Sequence, residues 1–87
     1  SVLYKELEEY ENSLTPAKDS IDLFQDIGDD MGCAYSLIHL GDVCYYLGRF
    51  AEAQRAWFAA MELGKRIPSK WVAEQTKQRI DSMLNHD

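Results

Sequence analysis

Apolar residues recur at intervals of three and four along most of the chain, which is the spacing of one face of an α-helix. In residues 2–13, acidic side chains separate the apolar ones, and the stretch predicts an amphipathic helix with apolar positions at Val2, Leu3, Leu7, Tyr10 and Leu14. Thr15 and Pro16 then predict a new helix, with Thr15 as N-cap and an apolar face at Ile21, Leu23, Phe24 and Ile27. A single helix kinked at Pro16 is the less favoured alternative.

Two glycines bound the next predicted helix. Gly28 is expected to end the helix before it, and Asp29 or Asp30 to cap its start. It extends to about Leu47 and ends at Gly48. Its apolar residues nearly encircle it, which predicts a central position between neighbouring helices. They are Met31, Ala34, Tyr35, Leu37, Ile38, Leu40, Val43, Cys44, Tyr45, Tyr46 and Leu47.

The remainder of the chain predicts two more helices. The first extends from Phe50 to about Arg66 and is rich in alanine, the strongest helix former. The second begins after Pro68, with Ser69 as its N-cap. One face of this last helix is apolar and the other is polar, as is typical of a helix that closes an array. The polar face consists of Glu74, Lys77, Gln78, Asp81, Ser82 and Asn85.

Small residues predict that the two central helices pack closely. Gly41, Ala53 and Ala60 let two helix backbones approach each other, while Leu40, Phe50 and Trp57 fill the space that remains. One stripe on the first of these helices holds Leu37, Leu40, Gly41 and Cys44, and one on the second holds Ala53, Trp57 and Ala60.

This spacing resembles the tetratricopeptide repeat (TPR), whose pattern is Trp, Leu-Gly, Tyr, Ala, Phe, Ala and Pro at fixed offsets. The pattern maps onto Leu37, Leu40-Gly41, Cys44, Ala53, Trp57 and Ala60, with Lys65 in place of the closing proline and Pro68 three residues later. Residues 26–32, with Ala34 and then Leu40-Gly41-Asp42, resemble the longer repeat variant found in kinesin light chains and bacterial signalling regulators.

The resemblance implies an all-α fold in which antiparallel helix pairs stack as a short TPR-like α-solenoid. Residues 1–87 then form one domain or a fragment of a longer array, with one full repeat at residues 28–67 and flanking or capping helices at 1–27 and 68–87. Because Ser1 is not an initiator methionine, we expect the segment to come from a larger protein. Exposed apolar surface at one or both ends would then be covered by the rest of that protein or by self-association.

In the TPR family, ligands lie in a concave groove lined by the first helix of each repeat. Carried over to this chain, the resemblance implies partner-binding residues at Tyr35, Ile38, His39, Asp42, Tyr45 and Tyr46. Packing of Tyr35 and Tyr45 on neighbouring helices is the alternative. Some members bind a terminal carboxylate with Lys and Asn, but Ile38 and Asp42 occupy those positions here. Asp42 is expected to attract a partner's Lys or Arg, or to serve as a cap or stay in solvent.

Charge disfavours nucleic acid as a partner. The net charge is −6, and residues 1–44 hold ten acidic and two basic residues, which would repel phosphate backbones. The basic residues of the second half are scattered and are predicted to be solvated. No apolar run approaches the roughly 20 residues that span a membrane. We therefore expect the partner to be a protein or peptide, and we expect no binding to nucleic acid or to a membrane. The chain could also form a homo-oligomer or be part of a longer repeat array.

Cys33 and Cys44 lie on one predicted helix, eleven residues apart. That separation is about 16 Å along the axis, whereas a disulfide needs Cα atoms about 6 Å apart. Two free thiols suit a reducing compartment, and the expected location is cytoplasmic.

Enzymatic activity is not expected. His39 and Asp42 form the one pair that suggests acid–base chemistry, and the sequence offers no nucleophile or metal beside them. Cys33, His39 and Cys44 have no zinc-ligand spacing. The sequence therefore predicts no catalytic, cofactor or metal residues. The leading hypothesis is a protein–protein interaction scaffold, and the second is a structural module for oligomerisation or spacing.

Overall fold

A computed structural model describes residues 2–85, except for the side chain of Val2. This part of the chain folds into four α-helices and contains no β-strand. The helices are α1 (Val2–Asp26), α2 (Asp30–Tyr46), α3 (Phe50–Gly64) and α4 (Lys70–Leu84). The all-α prediction is thus confirmed for the described residues.

The predicted helix break at Thr15 and Pro16 is wrong, because α1 continues through both residues. Its apolar stripe alternates intervals of three and four without interruption across Pro16, through Leu7, Tyr10, Leu14, Ala17, Ile21 and Phe24. Leu14, Ala17 and Ile21 are buried, and this packing offsets the roughly 3 kcal/mol that an interior proline costs a helix. The chain therefore has four described helices rather than five.

Part of the predicted apolar face of α1 points outward. Leu23 and Ile27 are 59% and 64% exposed, and Leu3 is 64% exposed. Leu23 lies about 200° around the helix from buried Ile21, since each residue turns the helix by about 100°. The prediction for Val2 concerns a side chain outside the described part of the structure.

Around the turns after α1 and α2 and before α4, local capping chemistry sets the helix ends where the sequence predicted them. Asp29 is the N-cap of α2 and accepts a hydrogen bond from the Gly32 N–H at 2.9 Å, and Ser69 caps α4 by accepting from the Val72 N–H at 3.4 Å. Gly28 and Gly48 adopt φ angles of 72° and 79°, the left-handed conformation that ends a helix at low cost when the residue is glycine.

The helix α2 is central, as its encircling apolar residues predicted, and it contacts α1, α3 and α4. Consecutive helices run antiparallel. In the pair α1 and α2, the Phe24 ring near the end of α1 lies against Gly32 near the start of α2. At the opposite end of this pair, Tyr10 of α1 stacks on Tyr46 of α2. One core cluster holds Leu14, Val43, Cys44, Ala53, Trp57 and Ile80, and the other holds Ala34, Ile38, Ala60 and Val72.

The close approach predicted at Gly41 is present. The Trp57 indole lies directly against the Gly41 backbone, and Ala53 and Ala60 are fully buried. Leu37 and Leu40, expected in the same packing stripe, are only half-buried. The contact fixes the indole of Trp57 beneath the surface between α2 and α4.

Candidate functional site

A cleft runs between α2 and α4, and we call it the α2–α4 cleft. It consists of two hollows that share Asp42 and Arg79 in their walls. The larger, of about 370 Å³, is also lined by Tyr45, Tyr46, Trp57, Gln75, Gln78, Ser82 and Met83. The smaller, of about 140 Å³, is also lined by Tyr35, Ile38, His39 and Trp71.

A bidentate ion pair crosses the middle of the cleft. The Arg79 guanidinium donates from Nε to Asp42 Oδ1 at 2.7 Å and from Nη2 to Oδ2 at 3.0 Å. The Trp57 indole donates to the same Oδ1 at 3.1 Å. Because paired charges in fork geometry hold both groups in place, this contact ties α4 to α2 and α3.

The ion pair changes the predicted roles of both residues. Asp42 was expected to attract a partner's cation or to remain a cap or solvated, but its carboxylate binds Arg79 of the same chain. Arg79 was expected to be solvated, but its side chain is only 27% exposed. Arg79 Nη1 also donates to the Gln75 backbone carbonyl at 3.1 Å and to Gln75 Oε1 at 2.7 Å.

An exposed aromatic pair borders the smaller hollow. The rings of Tyr35 and Trp71 stack with centroids 5.8 Å apart and planes 16° from parallel. Tyr35 is 61% exposed and Trp71 is 41% exposed. His39 is exposed on the same helix face, whereas Ile38 is 4% exposed and belongs to the core. Of the predicted groove residues here, Tyr35 and His39 therefore offer surface, and Ile38 offers little.

A second aromatic pair reaches the larger hollow through its Tyr46 ring. Tyr46 stacks on Tyr10 of α1, with centroids 5.1 Å apart and planes 12° from parallel, and Tyr46 remains 60% exposed. Tyr45 is half-buried and packs against Tyr46, Phe50 and Trp57 at centroid distances of 5.4–5.9 Å. Tyr46 thus presents ring surface to the cleft, while much of Tyr45 supports its wall.

The structure adds cleft residues that the sequence did not predict there, and apart from Trp57 of α3 they lie on α4. Trp71, Gln75, Gln78 and Ser82 follow one another at intervals of four, three and four, so they lie on one face of the helix. This helical spacing was the signal available in the sequence. However, Gln78 and Ser82 belong to the face that was expected only to be polar, and Gln75 lies beside that face.

Neither cysteine lines the α2–α4 cleft. Both thiols are free and buried, and desolvation by burial raises the pKa of Cys33 and of Cys44. The Cys44 thiol donates a long hydrogen bond from Sγ to Glu52 Oε2, at 4.0 Å. Across residues 2–85, no group of three or more His, Cys, Asp or Glu side chains has the arrangement of a metal site.

A separate groove of about 310 Å³ lies between α2 and α3 and carries no aromatic ring. It is lined by Leu37, Leu40, Cys44, Glu52, Arg55, Ala56 and Ala59. The two aromatic pairs distinguish the α2–α4 cleft from this groove.

None of the helices in the described part is both long and apolar enough to cross a membrane. No known protein family, curated protein or solved structure matches this chain.

Proposed function

We propose that the chain is a protein–protein interaction module, built as a short TPR-like α-solenoid, that binds a peptide or helix of a partner protein in the α2–α4 cleft. The single observation that carries this proposal is the placement of three exposed aromatic rings in one cleft, with Tyr35 and Trp71 at one side of the Asp42–Arg79 ion pair and Tyr46 at the other. Aromatic anchors in a concave surface are the usual centres of binding energy at protein interfaces.

The exposed ring area is large enough to support binding. An aromatic side chain has roughly 200 Å² of surface, so the 60% exposure of Tyr46 leaves roughly 120 Å² to cover. At about 25 cal/mol per Å², covering it would contribute about 3 kcal/mol before the costs of association. Tyr35 is exposed to the same degree. Together, Tyr46 and Tyr35 would therefore make a substantial contribution to the free energy of binding a partner.

The proposal includes no catalytic or cofactor role. The carboxylate of Asp42, which would have to work with His39 in acid–base chemistry, binds Arg79 and Trp57 instead. The free thiols of Cys33 and Cys44 favour a reducing, cytoplasmic setting for the module.

A random-peptide display selection tests the proposal. The 87-residue chain would be the bait, and a Tyr35→Ala/Tyr46→Ala variant would be the counter-selection bait. We expect peptides that bind the unaltered chain and lose at least tenfold in affinity for the variant. A matched control is Phe58→Ala, because Phe58 is an aromatic residue of α3 that is 39% exposed and does not line the cleft. Selected peptides that bind both baits equally would overturn the assignment to this cleft.

Oligomerisation is the second candidate function, because apolar side chains are also exposed away from the cleft. Leu23, Ile27 and Met31 are 59%, 64% and 40% exposed around the turn between α1 and α2. Sedimentation equilibrium of the unaltered chain and of a Leu23→Glu/Ile27→Glu variant tests this function. A concentration-dependent dimer that the variant abolishes would support self-association through this edge. A monomer at all concentrations would exclude it.

A further inference from the structure

The hydrogen-bonding groups at the centre of the α2–α4 cleft are unevenly available. Both oxygens of Asp42 already accept hydrogen bonds, from Arg79 and from Trp57. Gln75 Oε1 accepts from Arg79, so the remaining polar group of that side chain is its amide nitrogen, a donor. Tyrosine hydroxyl groups can also donate. The amide nitrogen of Gln75 therefore remains available as a donor at the cleft centre, while the Asp42 carboxylate is already engaged.

The cleft also lacks an unpaired charge for a partner to bind. Asp42 and Arg79 compensate each other at 2.7 Å. Apart from this pair and the imidazole of His39, the described lining residues of both hollows are uncharged. An acidic or basic partner segment would lose hydration on entering the cleft without gaining a free counter-charge. These charges favour an uncharged segment.

From these two features and the aromatic pairs, we infer that the α2–α4 cleft binds an uncharged, proline-rich segment of a partner protein in the polyproline II conformation. This inference rests on the proposed function. Proline has no N–H, so it brings no donor that would need an acceptor in the cleft. Its carbonyl group stays free in polyproline II, which has no internal hydrogen bonds, and can accept from Gln75 and the tyrosines. Aromatic-lined grooves recognise such segments because the helix is already ordered before binding.

The length of the cleft sets the length of the segment. Tyr35 and Tyr46 lie eleven residues apart on α2, which corresponds to about 16 Å along the helix axis. Polyproline II rises about 3.1 Å per residue, so about five residues separate the two aromatic pairs. A segment of about six residues can therefore place a proline ring against each pair, with its central carbonyl groups beside Gln75.

Fluorescence anisotropy with a labelled decaproline peptide tests this inference. Comparison probes of the same length are an alternating Gly-Ser peptide and an alternating Pro-Glu peptide. We expect decaproline to bind the 87-residue chain at least tenfold more tightly than either comparison probe. Trp71→Ala and Tyr46→Ala should each weaken decaproline binding about tenfold, while Phe58→Ala should leave it unchanged.

Gln75→Glu tests the donor argument separately. The glutamate keeps an acceptor for Arg79 but removes the amide donor, so decaproline binding should fall about fivefold while the circular dichroism spectrum stays the same. Unchanged binding in this variant, equal binding of the Gly-Ser peptide or tighter binding of the Pro-Glu peptide would overturn the inference. Display-selected peptides without proline that depend on Tyr35 and Tyr46 would overturn it too but leave the proposed function standing. A selection that yields no cleft-dependent peptide would refute both.

Discussion

A single methyl group at Gly41 tests whether close contact between α2 and α3 holds the floor of the cleft. An ideal Cβ at this position would lie 2.3 Å from Nε1 and 2.4 Å from Cδ1 of the Trp57 indole. Trp57 is 3% exposed and packs in the core, so its ring can shift only towards the larger hollow, away from its present contacts. In Gly41→Ala the indole has to shift, and its hydrogen bond to Asp42 has to lengthen or break.

The expected loss of stability follows from three contributions. Overpacking a dense core costs about 1–3 kcal/mol, and losing a hydrogen bond to a charged acceptor costs about 1.5–3 kcal/mol. Alanine in place of glycine within a helix returns about 1 kcal/mol. Gly41→Ala should therefore lower the free energy of unfolding by about 1.5–5 kcal/mol. A rule based on helix propensity alone predicts the opposite sign.

Urea denaturation followed by circular dichroism measures this change. For a chain of this size the slope is roughly 1–2 kcal/mol per M of urea, so the midpoint should fall by about 2 M. Gly32→Ala is the matched control in the same helix. Its Cβ would lie 2.5 Å from the Phe24 ring, but that ring is only half-buried near the end of α1 and can turn aside. The control should remain within about 1 kcal/mol of the unaltered chain. Equal stabilities of the two variants would show that the close contact between Gly41 and Trp57 does not hold the floor of the cleft.

Three further predictions concern the helices and the thiols. Pro16→Ala should raise the free energy of unfolding by about 1–3 kcal/mol, because Pro16 is exposed inside α1 and alanine restores a helix hydrogen bond; an unchanged urea midpoint would contradict this. Asp29→Ala should cost about 1 kcal/mol in the same assay, since it removes the N-cap of α2, and no loss would show that the cap is dispensable. Burial raises the pKa of Cys33 and Cys44, so the fold favours the neutral thiols. Their contribution to stability is complete below the unfolded-state pKa of about 8.5 and is lost as the pH rises through the folded-state values. The urea midpoint should therefore fall more between about pH 7 and pH 10 in the unaltered chain than in a Cys33→Ala/Cys44→Ala variant, and equal falls would contradict the prediction.

Helix ends were predictable because they depend on local chemistry. The left-handed glycines Gly28 and Gly48 and the capping side chains of Asp29 and Ser69 act within a few residues of their own positions. The continuity of α1 depends instead on a comparison of two energies. Thr15 and Pro16 have the sequence of a helix start, but the burial of residues on both sides of Pro16 against α2 outweighs that local preference. A sequence pattern shows the local preference for a helix start, but it does not show the free energy that α1 gains by packing on α2.

The α2 side of the cleft was more predictable than the α4 side. Tyr35, His39, Asp42 and Tyr46 lie at intervals of four, three and four on α2, and their common face follows from helix geometry. The meeting of Arg79 with Asp42, 37 positions earlier in the chain, depends on how α4 packs across α2 and α3. No short-range pattern encodes that contact, and it changes Asp42 from a free charge to a compensated one.

Nuclear magnetic resonance of the two tryptophan indole N–H groups shows directly whether a peptide binds in the α2–α4 cleft. Trp57 donates to Asp42 in the cleft floor, and Trp71 stacks on Tyr35 at the cleft rim, so the two signals report on the two hollows. We expect a display-selected peptide to shift the Trp71 signal strongly and the Trp57 signal measurably, with saturation at one peptide per chain. Saturable binding that leaves both indole signals in place, and instead shifts the backbone amides of Leu23, Ile27 and Met31, would contradict this expectation.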